Sequence, residues 1–145
     1  MTRLVAPLTA EESAAFIAAA RRLVGAPFKH RGRSERGVDC LGLVKLALDA
    51  VGRAAADERL YGREPEPEGL RLRAALREHF GAPVPLQAGC VVLMRWHALP
   101  NHVAIVGDYV HGGLSLIHAL FEQDRVVETR LADPWPRRIV EAYRP

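Results

Sequence analysis

Cys40 stands in the stretch "RGVDCLGLVKLALDAVG", directly after an acid and directly before an apolar run with helical spacing. A thiol in the first turn of a helix lies at the positive end of the macrodipole, near unpaired N–H groups, and both effects favour the thiolate. The same N–H groups are suited to an oxyanion formed when that thiolate attacks a carbonyl. The alternative is that Cys40 is a small buried apolar side chain. A nucleophile needs a base, and the sequence offers His30, His79, His97, His102, His111 and His118. Positions 102 and 118 centre on Val110, inside the turn-like "GDYVHGG". A hairpin with its loop at residues 108–112 sets these two histidines opposite or nearly opposite on one face, with Cβ atoms roughly 5 Å apart. His102 as base and His118 as the group that orients it would then complete an acyl-transfer site. A slip of one residue would break the pairing.

These side chains need elements to position them. "PLTAEESAAFIAAARRLVG" carries a Thr9–Glu12 capping box and a Gly25 stop, which predicts a helix over residues 10–24. The stretch "APFKHRGRSERGVD" lacks periodicity and is expected to be a loop. Asp39 is a good N-cap and Gly52 a good stop, and Leu41, Val44, Leu48 and Val51 repeat at helical spacing between them. With Leu43, Leu46 and Ala47 widening the apolar stripe, this helix over 39–51 belongs in the centre of a domain. After the proline-rich "YGREPEPEG", Leu70, Leu72, Leu76 and Phe80 predict a shorter helix ending at Gly81. From Gly89 the runs "CVVLM", "HVAIV", "LSLIHA", "RVVETRL" and "RRIVEAY" are rich in β-branched residues and separated by turn residues. Helices followed by strands predict an α+β domain, N-terminal helices packed on a C-terminal antiparallel sheet.

Composition sets the bounds. A chain of 145 residues with 49% hydrophobic content is long enough for one sizeable core, and a single domain over 1–145 is expected. Two cysteines, Cys40 and Cys90, make no disulfide framework, and no paired C-x-x-C spacing points to structural zinc. The N-terminal stretch lacks the apolar core of a secretory signal, and no run approaches the length of a membrane span. Synthesis in the cytoplasm, with export by some other carrier, is the expectation. The net charge is +3, but the basic residues are scattered, and all but Lys29 and Lys45 are arginine. Such scatter is not a nucleic-acid footprint; it suits a solvated surface or a carboxylate-rich polymer.

"GVDCLGLV", followed by "NHVAIVGD" and then "LIHA", resembles the NlpC-type cell-wall cysteine peptidases, a papain-like family with a Cys-His-His triad. The resemblance covers about Gly25 to Tyr143. It implies a papain-like fold with Cys40 as nucleophile, His102 as general base and His118 as third member. It also implies cleavage of peptidoglycan stem peptides, typically at the D-glutamyl to diaminopimelate or lysine bond, without metal or organic cofactor. "FKHRGR" and "DPWPRRIVEAYRP" resemble the branch found in phage tails and gene transfer agents. That branch implies tail-tip or baseplate partners and delivery of the enzyme to the periplasm or wall. An amidase on the same triad and a structural tail adaptor with weak or lost activity are the competing expectations.

Several residues depart from the family pattern or flank the triad. Phe28 stands where the family often has a tyrosine that serves the oxyanion site, and His30 or a backbone N–H is the candidate substitute. Leu41 replaces a common serine. Asp39 is expected to be a cap rather than a catalyst. Trp96, His97 and Asn101 are candidates to line the cleft, although a loop histidine such as His97 is more often solvated. Cys90 replaces an aspartate common in the family and is expected to be structural. His79 suits a helix C-terminus, and His111 lies in the expected hairpin loop.

Overall fold

The structure, a computed structural model, describes residues 6–53, 70–96 and 99–145. The proline-rich 61–69 stretch and His97 lie outside the described residues. Helix α1 spans Ala10–Arg22. The Thr9 hydroxyl accepts the Glu12 N–H and the Glu12 carboxylate accepts the Thr9 N–H, both at 3.1 Å, so the expected capping box forms. Its buried side is Phe16, Ile17, Ala19 and Ala20.

The stretch expected to be a loop before Cys40 contains a small antiparallel pair, β1 (Arg33–Ser34) and β2 (Gly37–Val38). Two-residue strands carry no alternation, so no periodicity announces them. Helix α2 spans Cys40–Ala50, with Leu41, Leu43, Val44, Ala47 and Leu48 buried. It packs against α1 on one side and the sheet on the other, as its wide apolar stripe requires. Helix α3 spans Leu70–Phe80.

Five strands follow: β3 (Val91–Trp96), β4 (Leu99–Asp108), β5 (Leu114–Leu120), β6 (Arg125–Arg130) and β7 (Ile139–Tyr143). They form one antiparallel sheet in the order β6-β5-β4-β3-β7. Helices N-terminal and antiparallel sheet C-terminal is thus the α+β architecture the sequence predicts. The last strand crosses to the far edge and pairs with β3. Glu141 on β7 receives the Nε–H groups of Arg73 and Arg77 from α3 at 2.9 and 3.0 Å, and the Tyr143 hydroxyl bonds it as well. These donors favour the charged carboxylate, led by Arg77, and bring its pKa down to about 2.

Alternation along the strands gives the sheet two apolar faces. Val91, Leu93, Val103, Ile105, Ile117 and Ala119 meet the helices. Val92, Met94, Ala104, Val106, Leu116 and Ala142 form a second cluster on the other face. The β4–β5 turn is centred one residue later than expected, because Gly112 and Gly113, at φ 93° and 79°, supply its left-handed positions. The ladder accordingly pairs Ile105 with Ile117 and Asp108 with Leu114. No described helix is long and apolar enough to cross a membrane.

Candidate active site

Asp39 is the N-cap of α2 and is 2% exposed. Its carboxylate accepts the Gly42 N–H at 2.9 Å, the Arg31 N–H at 2.7 Å and the Arg33 guanidinium at 2.9 Å. The cap therefore also ties the loop before β1 to the helix start. Gly42 permits that approach: a Cβ there would lie 2.2 Å from the Gly32 carbonyl oxygen. Cys40, the first residue of α2, is half-buried and free, as is the fully buried Cys90.

The place the thiol occupies follows from the sheet. The Val106 N–H bonds the Cys90 carbonyl on the β3 side, so the even-numbered N–H groups of this stretch point toward β3 and the odd-numbered ones toward β5. The β4–β5 ladder ends at Ile105 and Ile117, where the strands part. The Val103 N–H lies beyond that end and is one of the groups that lower the pKa of the Cys40 thiol. Val103 follows His102 in the chain, so the thiol at the start of α2 faces the stretch of β4 that carries His102.

His102 pairs with Met94 across β3–β4, and His118 follows the same alternation, so both histidines share the sheet face away from the helices. The observed register makes them diagonal neighbours rather than opposed ones. A shift that moves the pair sum by two keeps both side chains on one face, so contact survives. His102 Nε2 and His118 Nδ1 are 3.1 Å apart, and His118 Nε2 is 3.1 Å from the Thr129 hydroxyl. With Nε2 engaged by His118, Nδ1 is the nitrogen of His102 left for a reacting proton. Thr129 was not among the sequence candidates; it joins the site because β6 pairs it with Leu116, which makes it a diagonal neighbour of His118 across the β5–β6 ladder.

Burial dominates the electrostatics. It pushes the Cys40 thiol up to about 11, with the adjacent Asp39 carboxylate adding to the rise and the N–H groups of Val103, Leu41 and Cys40 opposing it. The thiolate expected from a helix N-terminus is therefore outweighed in the free protein by desolvation and the capping acid. Burial likewise brings His102 down to about 4, Glu122 opposing and Arg138 assisting, and His118 to about 3. These shifts favour the uncharged forms of the thiol and of both imidazoles.

Two tryptophans cover the histidines. The Trp96 ring lies 5.0 Å from His102, and Trp135, on the 3₁₀ turn 135–138, lies edge-on 5.0 Å from His118. Trp135 and Arg138 were legible only as part of "DPWPRR", because nothing local says that this turn folds back onto the sheet. The other candidates spread out. Leu41 is buried in the core, and Asn101 is exposed beside the β4 irregularity. Phe28 meets Phe121 edge-on at 5.7 Å and its N–H bonds the Asp124 carbonyl, so that N–H is occupied. His30 is exposed in the turn before β1. Cys90 lies in the second apolar cluster with its thiol 3.7 Å from the Pro85 carbonyl, a packed position. His79 is in the last turn of α3, and His111 is in the hairpin loop.

The model of the NlpC/P60 family matches residues 25–144. The chain belongs to the NlpC/P60 family. Its fold is similar to that of the NlpC/p60 domain of the peptidoglycan hydrolase SagA, at TM-score 0.59 and 20% identity over 92% of this chain and 98% of that one. It is also similar to a lipoprotein-like NLP/P60 protein of Staphylococcus aureus, at TM-score 0.60 and 20% identity over 99% of this chain and 44% of that one. An NlpC/P60 protein of Bacillus cereus aligns at TM-score 0.64 and 18% identity over 97% and 41%. The chain therefore spans less than half the length of these last two NlpC/P60 proteins. No curated protein matches it.

Proposed function

We propose that the protein is a peptidoglycan hydrolase, a cysteine endopeptidase that cleaves cell-wall stem peptides between D-glutamate and diaminopimelate. The observation that carries this reading is the hydrogen-bonded line of His102, His118 and Thr129 in a domain whose Cys40 stands at the start of α2. With the uncharged thiol and imidazole favoured, attack and proton transfer go together. The Cys40 sulfur bonds to the carbonyl carbon while its proton passes to His102 Nδ1. The His102 Nε2–H, donated to His118 Nδ1, stabilises the imidazolium that forms. The N–H groups of Cys40 and Leu41 lie at the reacting sulfur and suit the oxyanion. His102 then protonates the leaving amine, and a water that it deprotonates opens the thioester. Delivery by a phage-like tail tip is the route supported by the resemblance of "FKHRGR" and "DPWPRRIVEAYRP".

The test is mass spectrometry of diaminopimelate-type peptidoglycan after incubation with the protein and with Cys40→Ala. New stem-peptide fragments from the parent protein alone are expected, and their termini name the bond; fragments freed at the sugar–peptide junction would make it an amidase. A second reading, a tail or baseplate adaptor with the peptidase fold, draws on the raised Cys40 pKa and the hydroxyl-free Phe28. Folded protein that releases no fragments from several wall types would decide for the adaptor.

A further inference from the structure

Arg138 lies over both indoles, its guanidinium carbon 4.7 Å from the Trp96 ring centre and 5.3 Å from that of Trp135. The two rings stack at 5.9 Å with 24° between their planes. The Trp96 Nε1–H is fixed by the Glu122 carboxylate at 2.9 Å. Among the described residues no ion pair is formed by Arg138, whereas the neighbouring Arg137 has Asp133 at 3.7 Å; the nearest carboxylate of the cluster, Glu122, is engaged by the Trp96 indole. A guanidinium held against aromatic rings can still offer N–H donors to a carboxylate, in two parallel bonds where its edge faces outward. The platform under it is the same pair of rings that touches His102 and His118.

We infer that Arg138, presented on the Trp96–Trp135 stack beside the histidine pair, is a subsite for a carboxylate of the substrate peptide. The inference rests on the peptidase reading for the identity of that peptide. Carboxylates flank the proposed scissile bond on both sides: the α-carboxyl of the D-glutamyl residue and the free carboxyls of diaminopimelate. Occupation would also act on the chemistry. The Arg138 charge helps keep His102 low, so a bound carboxylate offsets that charge and makes His102 a better base as substrate arrives.

Binding is measured so that the result does not depend on turnover. Cys40→Ala protein, with and without Arg138→Gln, is titrated by calorimetry with L-Ala-γ-D-Glu-diaminopimelate and with two analogues. One analogue carries a carboxamide on D-glutamate, the other on diaminopimelate. The acid peptide should bind the Arg138→Gln form roughly 10- to 100-fold more weakly, the range of a charged hydrogen bond. One carboxamide analogue should bind both forms alike and so name the carboxylate. Arg138→Lys, which keeps the charge and loses the fork, should fall between, and matched thermal midpoints show that the 3₁₀ turn is intact. Equal binding of the acid peptide to both forms overturns the subsite, as do an equal loss for all three peptides and no binding by the parent. Cleavage by the wild-type protein is scored separately. Discrimination without cleavage would retain the subsite and remove the peptidase reading.

Discussion

Asp39 does two opposed things at the residue beside the thiol. As the cap it satisfies the Gly42 N–H and anchors Arg31 and Arg33, and as a buried negative charge it holds the thiol pKa up. Asp39→Asn keeps the cap oxygen and removes the charge. The Cys40 pKa, followed by alkylation rate against pH, should therefore fall below that of the parent protein; an unchanged profile would leave burial as the whole cause. Thr129 acts through His118. For His102 to present a lone pair at Nδ1, its Nε2–H must donate to His118 Nδ1, and the His118 Nε2–H must then donate to the Thr129 oxygen. Thr129→Val removes that acceptor and favours the other tautomer. We expect kcat on a stem peptide to fall about five- to tenfold with KM little changed, and Thr129→Ser to restore it. A loss that serine does not restore would mean that Thr129 only packs.

At the scale of elements, the start of α2 depends on how closely the β1–β2 loop approaches it. Gly42→Ala places a methyl against the Gly32 carbonyl, which is backbone and cannot rotate away. The variant should lose about 1–3 kcal/mol of stability by chemical denaturation, the usual range for overpacking. Full stability would show that the loop can retreat. The β4–β5 hairpin shows why face is easier to infer than register. Turn residues can be located to within a residue or so, but the ladder follows whichever glycines take the left-handed positions, here Gly112 and Gly113. The histidine contact survived because two long imidazoles reach a diagonal neighbour.

For the whole molecule, acid should be destabilising, and three groups set the window. His102 and His118 are lowered from 6.5 to about 4 and about 3, so the unfolded chain takes up protons that the folded one refuses as pH falls below about 6.5. Glu141, lowered from 4.5 to about 2, works in the same direction. It contributes stability above pH 4.5 that is lost as pH falls toward 2. Thermal midpoints should decline from about pH 6.5 downward and steepen below 4.5. His118→Gln should flatten the upper part, and a midpoint unchanged from pH 7 to 4 would contradict the burial of the pair.

The sequence by itself determined the order of helices and strands, the caps of α1 and α2, and the presence of Cys40 at a helix start, because each is set by residues within a turn or two of one another. The two histidine motifs and their shared face were legible too, since strand alternation carries parity across a hairpin. Tertiary structure alone decided the rest. Thr129 reached His118 through pairing with a third strand, and Trp135 and Arg138 reached the histidines because the chain crosses the sheet before β7. The protonation balance also lay beyond local reading. A helix N-terminus favours a thiolate wherever it occurs, but how much water remains around Cys40 is fixed by everything packed over it, and here that burial prevails.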